Sequence, residues 1–293
     1  MNTRSTNNNK KRKSNSNSTN QNKNSKTSKK TNDTLTCATW NMHRIFSPAS
    51  IFTLMLQNNI DILAIQEPHP NLTNPSTVAY TEFHDNLSLK NLTCTHTPHL
   101  LTITRNSSLG SYISPITHTS EDGRIHITTF STSPSVTTAI INIYAVQQSH
   151  KKYNELSQKL IDYLAQTIPN LTKSKYHLNL IPLGDMNVDI ATKTSVTNNI
   201  LQYFQTSHHL HSAIPHHLSH LNQLPPTFKS HAGSSHIDHI LLPYHLLKHA
   251  TKARILNHFT AFHCASDHHP CIITFPITIH KPTTQAAQNH PVL

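Results

Sequence analysis

Glycine is scarce: four in 293 residues. A glycine that closes an apolar run in such a chain marks a backbone with a particular need. Acids are scarce too, thirteen against 24 Lys and Arg, so each carboxylate is informative. The four cysteines, Cys37, Cys94, Cys264 and Cys271, form no C-x-x-C pair and no zinc-ribbon spacing. That excludes a disulfide scaffold and fits reduced thiols in a nuclear or intracellular, non-secreted protein. No apolar run approaches the ~18 residues of a membrane span, and the N-terminus lacks the apolar core of a secretory signal. No repeat and no Pro/Gly linker divides residues 35–280. Histidine is the opposite case, with 26 copies, many in pairs such as His208-His209 and His216-His217, so a single histidine carries little weight.

Positive charge is concentrated at one end. Residues 1–34 hold nine Lys and Arg against Asp33, a net +8, whereas the other 259 residues hold fifteen against twelve acids, a net +3. This Asn/Ser/Lys/Thr segment has too little apolar surface to offset its ordering entropy and is expected to be disordered. Its run Lys10-Lys11-Arg12-Lys13 fits nuclear localisation or nucleic-acid contact as well as it fits a solubilising tail. A loose polar tail is expected again over 281–293.

Between the tails, apolar patterning reads as one mixed α/β domain, residues 35–280. Strands are expected at 35–41, 60–67, 100–104, 124–130, 137–144, 177–183, 236–242 and 271–275. Helices are expected at 50–58, capped by Ser47 with Pro48 at its first position, at 151–168 and at 195–209. The apolar run 177–183 closes on Gly184-Asp185-Met186-Asn187, where the glycine provides a sharp strand exit and two short polar side chains follow at the sheet rim. By itself that tetrapeptide reads first as a hydrogen-bonded turn. Tyr144 alone reads first as a core-edge tyrosine.

Six strand ends together change the reading. They deliver Asn41 after Trp40, Glu67 after Gln66, Tyr144 after Ile143, Asp185 with Asn187, Asp238 within Ile237-Asp238-His239, and Asp267-His268 before the last strand. In that order they resemble the endonuclease/exonuclease/phosphatase superfamily, the DNase I-like fold, over residues 36–275. Gln66-Glu67-Pro68-His69, Asn142-Ile143-Tyr144-Ala145, Pro226-Thr227-Phe228, His236-Ile237-Asp238-His239 and Ser266-Asp267-His268 look closest to endonuclease domains of non-LTR retrotransposons.

The resemblance implies a four-layer α-β-β-α sandwich of two packed mixed sheets with outer helices. It implies a magnesium-dependent phosphodiesterase, most similar to retrotransposon DNA endonucleases, with Mn2+ as the other candidate ion. Glu67, Asn41 and Asp267 form the metal side, an oxygen donor set suited to a hard cation. Asp185 then handles the attacking water, Asn187 and Tyr144 hold the phosphate, and Asp238 orients and charges His268 against it. Thr227 falls in a loop near the DNA. DNA is the implied partner, with a separate or missing reverse transcriptase; no membrane partner and no obligate oligomer are indicated. Three positions depart from the pattern: His43, where an amide or carboxylate is usual, Val146-Gln147 in place of Pro-Asn, and His269. Another enzyme of the same fold, acting on RNA tails, inositol phosphates or sphingolipids, and a binding remnant without activity are the alternatives.

Overall fold

The computed structural model describes residues 32–106, 117–133, 136–171, 177–190, 199–221, 223–257 and 266–278. The expectations for the tails (except residues 32–34), for Lys10, Lys11, Arg12 and Lys13, for Cys264 and for residues 195–198 lie outside these. The described chain runs β1 (Asn32–Asn41), α1 (Pro48–Gln57), β2 (Ile62–Gln66), α2 (Val78–Leu89), β3 (Leu92–His96), β4 (Leu100–Arg105), β5 (Thr117–Thr119), β6 (Ile125–Ser133) and β7 (Val136–Tyr144). It continues through α3 (Tyr153–Thr167), β8 (His177–Asp185), α4 (Ile200–Ser207), β9 (Leu210–Ser212), α5 (Ala213–His217), β10 (Phe228–Ser230), β11 (Gly233–Ser235), β12 (Asp238–Pro243), α6 (Tyr244–Leu247), β13 (Arg254–Ile255) and β14 (Cys271–Thr278).

Twelve strands form two six-stranded mixed sheets, ordered β13-β14-β1-β2-β4-β3 and β5-β6-β7-β8-β12-β9, while β10 and β11 make a separate ribbon. Side chains alternate faces along each strand, and that alternation builds the layers. Leu35 and Cys37 on β1, Ile62 and Ala64 on β2, Ile181 and Leu183 on β8, and Ile240 and Leu242 on β12 form the core between the sheets. The opposite phase, Ala38, Trp40, Leu63 and Ile65, packs under Ile51, Leu54, Phe83 and Leu87 of α1 and α2. Ile141, Ile143, Leu180 and Leu241 pack under Leu160 and Leu164 of α3 and Phe204 of α4. The result is the four-layer sandwich that the resemblance implies. No described helix is long and apolar enough to cross a membrane.

Four boundaries differ from expectation. β1 begins at Asn32, inside the segment expected to be loose, because Asn32, Asp33 and Thr34 pair with Thr278, Ile277 and Pro276 of β14. Ser47 precedes α1, but its hydroxyl donates to Ser50 Oγ at 2.6 Å and caps no backbone N–H. The pair α2 and β3 went unanticipated: α2 buries only Phe83 and Leu87 and β3 buries only Leu92, too few for a clear period. Gly184 does not end its strand. β8 runs through it to Asp185, with Gly184 opposite Ile143 on β7 and His239 on β12. A Cβ there would lie 2.0 Å from the Ile143 carbonyl oxygen, and φ is +147°; the glycine exists so that three strands can meet.

Candidate active site

Register brings the polar strand ends together. Tyr144, Asp185 and Asp238 are successive partners across β7, β8 and β12, and Asn41 partners Gln66 on the other sheet. All continue the inward phase of their strands, so one apolar inter-sheet core ends in a polar mouth. Beneath the mouth Gln66 Nε2 donates to Asn142 Oδ1 across the sheets at 2.7 Å, and Thr39 Oγ1 donates to Gln66 Oε1 at 3.1 Å. Asn142 Nδ2 reaches Leu101 O and Thr102 Oγ1 at 3.2 and 3.1 Å. Every partner in this buried layer is satisfied, which fixes the spacing of the two sheets where the site begins.

The deepest element is a buried ion pair. His268 Nδ1 donates to Asp238 Oδ2 at 2.8 Å, with Asp238 fully buried. Burial opposes charge on His268, but Asp238, Asp185 and Asp267 outweigh it and push its pKa up to about 9. Nδ1 is thereby committed to Asp238, and Nε2 is the nitrogen left for a ligand. Asp238 Oδ1 is buried without a hydrogen-bond partner among the described residues, so its charge is little quenched. Ligand atoms of Asp185, Asp238 and His268 lie within 4.8 Å of one another. Burial first, then the charge of Asp238, push Asp185 up to about 7, against the pull of His268, the Asn41 amide and the Asn187 N–H.

A second half faces this one. Asn41 Nδ2 donates to Glu67 Oε1 at 3.2 Å and to Asp185 Oδ2 at 3.0 Å, while Asn187 N donates to Asp185 Oδ1 at 2.9 Å. Tyr144 hydrogen-bonds Glu67; burial and that carboxylate raise the phenol's pKa. Glu67 and Asn187 both sit in left-handed backbone, φ 45° and 51°, a conformation that costs a non-glycine residue about 1–2 kcal/mol. Glu67 N is held by His99 O at 3.0 Å and Asn187 Nδ2 by Ala145 O at 2.8 Å. Ser266 Oγ donates to Asn41 O at 2.8 Å and accepts from His268 N at 3.1 Å, tying the two halves.

Glu67, Tyr144, Asp185, Asn187, Asp267 and His268 line one cavity of about 500 Å³, together with His43, Asp189 and Phe228. Asn41 and Asp238 stand directly behind it, 1 % and 0 % exposed. Two expected site residues make contacts of another kind. Thr227 is wholly buried, and its hydroxyl accepts Ile237 N and Asp238 N at 3.1 and 3.0 Å; it holds the entry to β12. Asn41 turns its amide NH2, not its oxygen, toward Glu67 and Asp185, and Oδ1 accepts His43 N at 2.8 Å. It bridges two carboxylates as a cation would, and ligation would require the amide to turn over. His43 Nδ1 lies 3.0 Å from Asp267 Oδ1, so the departing residue engages the metal-side carboxylate.

Several residues at the site were assigned no role from the sequence. Phe228 packs its ring 4.9 Å from that of His268, and Arg124 lies 4.7 Å over the Tyr144 ring. Gln66 and Asn142 stood within the motifs of the resemblance but were given no role of their own. Arg124 left no sequence signal.

No family model matches the sequence, and no curated protein does. Among solved structures, the AP endonuclease LMAP of Leishmania major superposes with a TM-score of 0.63 at 14% identity, covering 83% of this chain and 88% of that one. The 3' phosphatase NExo of Neisseria, bound to a product DNA hairpin, gives 0.60 at 16%, over 83% and 99%. The endonuclease domain of TRAS1, a telomere-specific non-LTR retrotransposon, gives 0.55 at 11%, over 85% and 100%. The fold is that of the endonuclease/exonuclease/phosphatase superfamily, DNase I-like. At these identities the likeness is one of fold, and chemistry is argued from the site.

Proposed function

We propose that this chain is a metal-dependent phosphodiesterase that nicks DNA by water attack on a backbone phosphate, in the manner of a retrotransposon endonuclease. The observation that carries the reading is the buried Asp238–His268 pair set beside Asp185, whose pKa near 7 suits a general base. His268 presents a charged Nε2 to a phosphate oxygen, where it stabilises negative charge gained in the transition state. Asn187 and the Tyr144 hydroxyl contact the same phosphate. Gly184 and Thr227 position rather than react.

Four carboxylates, Glu67, Asp185, Asp189 and Asp267, line the cavity; a phosphate meets net repulsion there unless a cation intervenes. Glu67, Asp267 and a turned-over Asn41 offer the oxygen set that fits Mg2+ or Mn2+. When bound, the ion supplies charge stabilisation for the phosphate and the leaving oxygen. The basic N-terminal run supports a polyanionic partner held by salt-dependent contacts, and nuclear DNA as its location.

The test is a turnover screen on supercoiled plasmid, poly(A) and inositol phosphates with magnesium, for wild type, Glu67→Ala and His268→Ala. Magnesium-dependent nicking that both variants lose is expected. Turnover of a small phosphate without nicking, or unimpaired variants, overturns the reading.

A further inference from the structure

Two loops beside the cavity form a rim of which the proposed chemistry uses only Glu67. One, residues 42–47, carries the cavity-lining His43; the other, residues 67–69, carries Glu67. They are tied by Met42 N to Gln66 O at 2.9 Å and Arg44 N to Glu67 O at 2.8 Å. His43 and Arg44 are both left-handed, φ 47° and 58°, which turns the first loop back on itself. At its end Phe46 is 46 % exposed, and its ring meets His69 edge-on at 5.2 Å and 66°. His69 is itself fixed, its Nδ1 accepting Asn71 N at 3.1 Å.

Single exposed apolar side chains are ordinary. Among the large ones exposed on the described residues, however, Phe46 is the only one within three residues of a cavity-lining side chain. Arg44, 68 % exposed and 3.8 Å from Glu67 Oε2, stands two residues before it on the same loop. An exposed aromatic ring braced by His69, on a loop that also carries Arg44 and the cavity-lining His43, suits a ligand with a planar ring and a phosphate.

We infer that Phe46, backed by His69 and flanked by Arg44, is a stacking platform for an unpaired nucleobase next to the phosphate that is cut. The inference rests on the phosphodiesterase reading and narrows its substrate to DNA that is single-stranded or locally opened at the site. A base inside a duplex has both faces covered by its neighbours and cannot use the ring. Stacking on an aromatic side chain is sequence-tolerant and is expected to change affinity about tenfold.

The full chain, in chelator so that nothing turns over, is titrated by fluorescence anisotropy against a short single strand, the matched duplex, and the duplex with one unpaired base. Phe46→Ala is expected to lose about tenfold on the two unpaired ligands and under about twofold on the duplex. Phe46→Trp is expected to retain affinity, with its emission quenched on binding. The basic N-terminal run acts on all three ligands and cancels in the ratio. Equal losses on all ligands, or none, overturn the platform; if plasmid nicking survives in that case, the phosphodiesterase reading stands without it. Absence of nicking together with absence of any binding removes both.

Discussion

Replacing Asp185 by Asn isolates the most costly charge in the site. Its pKa of about 7 in the folded chain compares with about 3.9 in an unfolded one. A raised carboxyl pKa means that the folded state holds the proton more tightly, so the group favours folding at low pH and opposes it as pH rises from about 4 to 7. Between pH 5 and pH 9 the wild type should lose about 3 kcal/mol on this account, nearly all of it below pH 7. The Asp185→Asn variant carries no such dependence. It does set an NH2 against one of the two donors that Asp185 accepts, Asn41 Nδ2 or Asn187 N, at a pH-independent cost of about 1–3 kcal/mol. Removing the charge also lowers His268, which trims the gain above pH 7. The variant should thus be the less stable protein at pH 5 and draw level with, or pass, the wild type by pH 9. Urea unfolding at matched ionic strength in chelator, stepped from pH 5 to 9, measures the difference as a midpoint shift of about 1 M across the series. Parallel midpoint curves would refute the assignment of a high pKa to Asp185, and with it the argument for that residue as base.

Three further outcomes follow from the same geometry. Gly184→Ala places a Cβ 2.0 Å from Ile143 O, whereas Gly233→Ala, at φ +150°, meets nothing within 4 Å; the first should cost at least about 2 kcal/mol more than the second, whose penalty is backbone strain alone, and equal shifts in thermal midpoint would remove the close-approach argument. Thr227→Val strips the acceptor from Ile237 N and Asp238 N and should destabilise by about 2–4 kcal/mol, while Thr227→Ser stays close to wild type in the same urea assay. By NMR titration His268 should change protonation near pH 9. The stability it contributes is complete below about pH 6.5 and disappears as pH rises through 9. In Asp238→Asn, where burial acts with less opposition, the titration should fall to the ordinary imidazole range or below it; an unchanged value would show that Asp238 is not what charges the ring.

Much of this site was legible because strands have a two-residue period. Once Leu35 and Cys37, Ile181 and Leu183, or Ile240 and Leu242 are seen as inward, Asn41, Asp185 and Asp238 follow on the same face, and their side chains must converge at one end. Two features escaped for physical reasons. An amide's orientation depends on which partners surround it, so no pattern could tell that Asn41 would offer its NH2 to Glu67 and Asp185. Burial of a hydroxyl within a loop leaves no periodic trace, so nothing in the sequence marked Thr227, expected in a loop near the DNA, as the acceptor of the Ile237 and Asp238 N–H groups. Gly184 stood out for the right scarcity, but its expected role as a strand exit was wrong. Its absent side chain lets β7 approach β8, and nothing about the strand stops there.

The same register explains why the charged residues tolerate burial. Asp185 is central in its sheet, between Tyr144 and Asp238, and water is excluded from it on the core side. A lone carboxylate there would simply take up a proton. Asn41, the Asn187 N–H and His268 each hold its pKa back, which leaves it near neutrality instead of far above. Asp238, given one strong partner and a second oxygen with no hydrogen-bond partner among the described residues, directs its charge at His268. One carboxylate poised to exchange a proton and one imidazole kept charged are thus produced by unequal hydrogen bonding of two acids on adjacent strands. Exchanging their environments, as by a donor engineered toward Asp238 Oδ1, should lower His268 and degrade both roles together.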